Sequence, residues 1–383
     1  MIPNLSPEET KDFLKRGFSR RNFGRIATML TAGATLPFYN EPALAQLSEI
    51  KGKIPADAVM INANENPLGP CAEAAEAMRN LVQKGGRYMY GLTNDLANKM
   101  AEIEGVKAEY VRPFAGSSAP LHQAVLAFCS PSKAYVAGDP GYEAGGRAAQ
   151  FIGAKAVNVP LNKDYAHDVK AMARAHANPG LIYLCNPNNP TGSLTSREDM
   201  EWLLANKPAG SVLMVDEAYI HFAEGASTMV DMVAKDKDIV VLRTFSKLYG
   251  MAGLRAGAAI ARPDLLEKIM PYSAGALPVT SMLGATVSLQ QKGLVEKRRA
   301  IVKSTREDTL SWLDKHNFHY VPSHSNKFMV DTKRPGREVI DAMAKEKVYI
   351  GRVWPIWPTY VRVTIGTPEE MAKFKAAFLK VMA

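Results

Sequence analysis

Six short, mostly apolar runs limit what this chain can fold into. They are Ala134–Ala137, Ala154–Val159, Gly180–Cys185, Val212–Val215, Ile239–Leu242 and Ala256–Ala261. Each is strand-length rather than helix-length, and turn residues flank them, so they read as buried strands. Helical patterns lie between several of them. Strand alternating with helix predicts an α/β fold around a largely parallel sheet. Polar clusters recur just after these runs: Gly138 to Tyr142, Asn186 to Gly192, Asp216 to Tyr219, and Arg243 to Lys247. Open α/β sheets place ligands at that edge.

The texture changes near Thr280. A helical tract over residues 281–315 precedes a strand over 322–331 and a helix at Gly336–Lys345. Strands at Val348–Ile350 and Tyr360–Ile365 bracket a turn rich in Pro and Trp, and a last helix starts at Pro368. The expected organisation is a large domain over residues 76–279 and a smaller α+β domain over 280–383, with an N-terminal segment over 46–75. A length of 383 residues and a hydrophobic share of 47% suffice for both cores.

Residues 1–45 read as an address. Ser19-Arg20-Arg21-Asn22-Phe23 has the twin-arginine pattern, an apolar stretch runs from Ile26 to Phe38, and Ala43-Leu44-Ala45 forms a cleavage site before Gln46. The expectation is export by the twin-arginine route to the periplasm or another extracytoplasmic space. The three cysteines, Cys71, Cys129 and Cys185, are odd in number and far apart, so they are expected to be small buried residues, not a disulfide framework. His316-x-x-His319 has no neighbouring ligand cluster, so no metal is expected. The net charge of +9 is spread without a long basic block. That disfavours a nucleic-acid partner and suits a cleft for small anions.

Lys247 is the candidate nucleophile. It follows the run ending at Leu242, between small hydroxyl residues and a Gly-containing turn. Partial burial there would lower the pKa of its amine. Thr244, Ser246 and Arg255 would suit a phosphate. So would the helix start at Gly116-Ser117-Ser118, with Ser118 as N-cap and Pro120 in the first turn. An activated lysine beside a phosphate site suggests pyridoxal 5'-phosphate held as a Schiff base.

The ordered set Asn64-Glu65-Asn66-Pro67, Asn186 to Gly192, Asp216-Glu217-Ala218-Tyr219, Thr244 to Lys247, Ala252 to Arg255 and Val361 to Gly366 resembles the fold-type I pyridoxal-phosphate-dependent aminotransferases of class I/II. The histidinol-phosphate aminotransferase branch is the most similar. The resemblance covers the chain after the signal segment. It implies that Lys247 binds the cofactor and moves protons, and that Asp216 pairs with the pyridine nitrogen. Asn189 and Tyr219 would bond the ring oxygen, and Tyr142 would stack on the ring. Gly116, Ser117, Ser118, Thr244, Ser246 and Arg255 would hold the phosphate. Tyr88 matches the residue that reaches a neighbouring subunit's phosphate, which implies a homodimer with shared sites. Arg362 would grip the anionic group of the substrate, with Arg352, Asn66 and Asn326 assigned to the substrate alongside it.

The implied function is transfer of an amino group from a histidinol-phosphate-like or aromatic amino acid to a 2-oxo acid. Two rivals stand beside it: a decarboxylase, lyase or oxidase of the same fold, and a non-catalytic exported binding protein. Two departures bear on the substrate. Gly116-Ser117-Ser118 lacks the acidic residue usual after the first glycine, and Trp354 and Trp357 occupy a loop where the histidinol-phosphate enzymes are not expected to carry them.

Overall fold

The computed structural model describes residues 7–19, 24, 26, 54–273 and 275–383. The twin-arginine pair and the Ala43-Leu44-Ala45 site lie outside the described residues. Just before the pair, the helix Pro7–Lys15 leads to Arg16, whose Nη2 donates to the carbonyls of Leu126 (2.6 Å), Ala127 (3.1 Å) and Cys129 (3.2 Å). These carbonyls close the helix Ser118–Phe128, an end where cations are favoured. Among the described residues no helix is long and apolar enough to cross a membrane.

The first strand, β1 (Val59–Ile61), belongs to the N-terminal segment. Then come β2 (Val111–Phe114), β3 (Ala134–Asp139), β4 (Ala156–Pro160), β5 (Pro179–Cys185), β6 (Val212–Asp216), β7 (Ile239–Thr244) and β8 (Gly257–Ala261). These seven form one sheet in the order β2-β8-β7-β6-β5-β3-β4. The pairs β4–β3, β3–β5, β5–β6 and β6–β7 are parallel, while β8 runs antiparallel to β7 and β2. Helices cover both faces, so β5, β6, β7 and β8 are buried at every position. Alternation sends Leu181 and Tyr183 into one core and Ile182 and Leu184 into the other.

The smaller sheet is β9 (Tyr320–Val321), β10 (Lys327–Asp331) and β12 (Tyr360–Thr364), in the order β12-β10-β9, all antiparallel. β11 (Val348–Ile350) pairs instead with β1, in parallel, across most of the chain's length. Thr367 and Glu370 make a reciprocal capping box for the last helix, Pro368–Met382, with Thr367 N–H to Glu370 Oε2 at 2.8 Å. Such a cap contributes about 1 kcal/mol.

Three local expectations need correction. The helical tract over 281–315 is two helices, Val279–Gln290 and Leu294–Lys315, broken where Gly293 adopts φ +73. The strand expected over 322–331 is shortened to Lys327–Asp331, because Pro322 to Asn326 form the connection from β9. Ser117 rather than Ser118 is the N-cap of its helix, with no side-chain cap bond, so the backbone amides are the donors at that end. All three cysteines are buried and unbridged.

Candidate active site

Because β3, β5, β6 and β7 are parallel, their carboxyl ends meet at one edge of the sheet. Each end delivers a side chain to one cleft. β3 leads to Tyr142, β5 to Asn189, β6 ends on Asp216 and continues to Tyr219, and β7 ends on Thr244 ahead of Ser246 and Lys247. Ser117, Ser118, Arg255, Ala63 and Glu65 complete much of the wall.

Lys247 is buried, and its Nζ lies 3.4 Å from the carbonyl of Ala63 and 5.7 Å from the centre of the Tyr219 ring. Asp216 is buried as well. Its Oδ2 accepts from the Tyr183 hydroxyl at 2.9 Å, and its Oδ1 accepts from the Ala218 amide at 3.1 Å. Burial pushes its carboxyl up to about 6, against the opposing pull of those two bonds and of Lys247 and Lys327. A base held so near neutrality suits a cationic partner.

At the hydroxyl-rich end, Arg255 Nη1 donates to Ser246 Oγ at 3.2 Å, and Thr244 Oγ1 donates to Ser246 Oγ at 2.9 Å. Ser118 Oγ and the Tyr142 hydroxyl are 3.3 Å apart. Gly116, at φ +87, packs under the Arg255 guanidinium; a Cβ there would stand 2.9 Å from Cζ. Ser117 and Ser118, at the start of their helix, line the same cleft. This donor set fits a phosphate, and Asp216 fits a protonated ring nitrogen. The cleft therefore fits pyridoxal phosphate.

A second network enters from the small sheet. Arg362 on β12 is fully buried; Nη1 donates to Asn189 Oδ1 at 3.0 Å and Nη2 to the Asn62 carbonyl at 2.6 Å. Asn64 Nδ2 donates to Asn189 Oδ1 at 3.2 Å and to the Tyr219 hydroxyl oxygen at 3.0 Å. Asn189 Oδ1 thus accepts from two donors, which fixes the amide plane and sets its nitrogen on the opposite side.

Ten of the sequence-chosen cofactor residues line this cleft: Ser117, Ser118, Tyr142, Asn189, Asp216, Tyr219, Thr244, Ser246, Lys247 and Arg255. Gly116 sits behind Arg255. Tyr88 does not join them; it is 71% exposed and stacked on Tyr90 with centroids 5.6 Å apart. None of the four substrate candidates lines the cleft itself. Arg362 braces Asn189, and Arg352 pairs with Glu143 at 2.8 Å while its guanidinium lies 4.5 Å from the Trp354 ring centre. Asn66 donates to the Leu248 carbonyl and caps its own turn through Leu68, a structural task. Asn326 donates to the carbonyls of Asn64 and Glu65, so it holds the arm that carries Asn64. Trp354 is buried between Arg352 and Arg362, its Nε1 donating to the Gly141 carbonyl at 2.8 Å.

Sequence reasoning passed over Asn64, Tyr183 and Lys327. Asn64 holds φ +54, a conformation asparagine tolerates better than most residues. Nothing local separates it from Asn62 or Asn66.

The sheet, the small C-terminal sheet and this cleft define a fold-type I pyridoxal-phosphate-dependent transferase. The family model described as aminotransferase class I and II matches residues 56–378, and the chain belongs to that family. It is a pyridoxal-phosphate-dependent aminotransferase related to histidinol-phosphate aminotransferases. The histidinol-phosphate aminotransferase of Symbiobacterium thermophilum is 32% identical over 327 residues, spanning 84% of this chain and 90% of that protein. Histidinol-phosphate aminotransferase 2 of Pseudomonas aeruginosa is 31% identical over 355 residues, spanning 91% and 95%. The crystal structure of histidinol-phosphate aminotransferase from Sinorhizobium meliloti in complex with pyridoxal-5'-phosphate superposes with a TM-score of 0.79 at 24% identity, covering 92% of this chain and 96% of that one, and shares the fold.

Proposed function

We propose that this aminotransferase takes its amino group from an amino acid with an uncharged aromatic side chain and passes it to a 2-oxo acid. Pyridoxal phosphate supplies the electron sink and the carrier for the amino group when bound. The chain's own residues do the rest. Lys247 supplies the amine that holds the cofactor, then serves as base and acid at the donor's Cα. Asp216 keeps the ring nitrogen protonated, with Tyr183 and the Ala218 amide fixing its two oxygens. Tyr219 and Asn189 direct donors at the ring oxygen. Gly116, Ser117, Ser118, Thr244, Ser246 and Arg255 bind phosphate, and Tyr142 flanks the ring. Arg362, which braces Asn189 behind the cleft wall, is the arginine that the family resemblance assigns to the donor's carboxylate, a match for its planar fork.

The observation that carries the choice of donor is the Arg352–Glu143 pair at 2.8 Å. Glu143 balances the buried guanidinium of Arg352, so a second anionic group on the donor meets a neutralised cation. Histidinol phosphate, the substrate in the relatives' names, is the second reading, favoured by Arg352 itself. The test mixes the cofactor-loaded protein with single donors and follows loss of its visible band. Phenylalanine, tyrosine or histidine should convert it fastest. Conversion by histidinol phosphate alone would overturn the choice; carbon dioxide release or oxygen uptake would overturn transamination.

The exposed, stacked Tyr88 and Tyr90 support a homodimer in which Tyr88 reaches the neighbouring site. Sedimentation should give twice the monomer mass, and Tyr88→Phe should weaken cofactor binding. Export by the twin-arginine route is also part of the proposal, resting on Arg20-Arg21. Changing both to lysine should leave the protein in the cytoplasm; unaffected transport would sink this part.

A further inference from the structure

Lys327 opens β10 and is fully buried. A lysine in that position costs stability unless its ammonium finds partners. Its Nζ donates to Ser325 Oγ at 3.0 Å and lies 3.1 Å from the centre of the Tyr219 ring. Tyr219 belongs to the loop after β6, so this contact ties the small sheet to the large one. An ammonium on an aromatic face is drawn to the ring's negative quadrupole, most strongly where water is excluded. The same cation stabilises negative charge on the phenol oxygen and so makes the hydroxyl a stronger hydrogen-bond donor. Asn64 Nδ2, which donates to that oxygen at 3.0 Å, works in the same direction.

We propose that Lys327 is a positioning residue for amino transfer: seated on the Tyr219 ring and held by Ser325, it aims and strengthens the Tyr219 hydroxyl toward the ring oxygen of pyridoxal phosphate. This rests on the aminotransferase reading above. The other groups around Tyr219 are accounted for. Lys247 approaches from the loop after β7, with Nζ 5.7 Å from the ring centre. Asp216 stands at the end of β6, where both lysines favour its charged form. Cys185 ends β5 as a thiol pushed up by burial, against the pull of Lys327. Arg362 acts at one remove, through Asn189 and Asn64. Of the two cations over the ring, Lys327 is much the nearer, at 3.1 Å against 5.7 Å for Lys247, and it is fixed by a strand that carries no residue lining the cleft.

The experiment follows the visible absorption of the cofactor-loaded protein against pH. Lys327→Met keeps length and shape and removes the charge. Its absorption midpoint should rise by about one pH unit, a tenfold change in proton affinity, because a weaker donor leaves the ring oxygen less able to carry charge. Tyr219→Phe should move the midpoint the same way. Lys327→Met made in the Tyr219→Phe background should add nothing further, since residues in contact are not additive. Lys327→Arg should restore part of the difference.

An unmoved midpoint in Lys327→Met overturns the proposal. So does a shift of equal size in the Tyr219→Phe background, which would mean the charge acts without the tyrosine. If Lys327→Met does not fold, Ser325→Ala decides: it should give a smaller rise, and no rise overturns the proposal. A wild-type protein with no visible band would end the enzyme reading as well; a band with an unmoved midpoint ends this inference alone.

Discussion

Arg352 Nη1 and Glu143 Oε1 lie 2.8 Å apart and join the segment after β11 to the loop after β3. Arg352 is buried while Glu143 is 30% exposed, so the pair neutralises a buried cation with a half-buried acid. Its charge balance predicts selectivity. Glu143→Gln removes the counter-ion without changing shape. The variant should bind donors bearing a second anionic group roughly tenfold more tightly, with little effect on phenylalanine. Half-reaction titrations with a phosphorylated and an uncharged donor measure the ratio.

Lys247 is predicted to be indispensable. Lys247→Ala should lower kcat by at least about a thousandfold, since it loses both the attachment and the proton-transferring amine. Lys247→Arg should recover nothing, because a guanidinium stays protonated and is no nucleophile. Steady-state rates and mass spectrometry after borohydride treatment check both statements.

Asp216 makes the cofactor-free protein sensitive to pH. Its carboxyl titrates at about 6 when folded and at 3.8 by default, burial being the main cause. Between those values the folded form keeps a proton that the unfolded chain has lost. Stability therefore falls as pH rises through that window, and the full cost, about 3 kcal/mol, stands above it. Asp216→Asn without cofactor should be more stable than the parent by that order near about pH 7.5, with the gap closing below about pH 4. Urea melts at several pH values decide; a gap independent of pH would refute the assignment. The same variant should lose most of its activity.

Gly116→Ala tests the phosphate end. The added carbon would press on the Arg255 guanidinium, and φ +87 is strained for any residue with a side chain. A cost of about 1–3 kcal/mol is expected. Cofactor affinity should drop tenfold or more, read by absorbance titration with pyridoxal phosphate.

Much of this site was legible because its residues follow apolar runs in parallel strands. Asp216 directly ends β6, and Lys247 stands three positions past Thr244, so finding the strand found the residue. The antiparallel placing of β8 was not visible, since Gly257–Ala261 is as apolar as its parallel neighbours. Lys327, Tyr183 and Asn64 were hidden for a different reason: their roles come from contacts across the chain. Lys327 meets Tyr219 over 108 positions, and a lone lysine ahead of Phe328 has no periodic signal. The Gly293 break was masked by good helix formers on both sides. Asn66, which precedes a proline, caps its own turn, while Asn64 two positions earlier reaches the site.

The pairing of β1 with β11 has a last consequence. Val59 to Ile61 lie early in the chain but are stitched to Val348 to Ile350 near its tail. Directly beyond β1, Asn62 and Asn64 reach Arg362, Asn189 and Tyr219. The cleft is thus knotted from both ends of the polypeptide, and trimming the last forty residues would slacken its wall at the opposite terminus. No fragment ending before β11 can be a working half-enzyme.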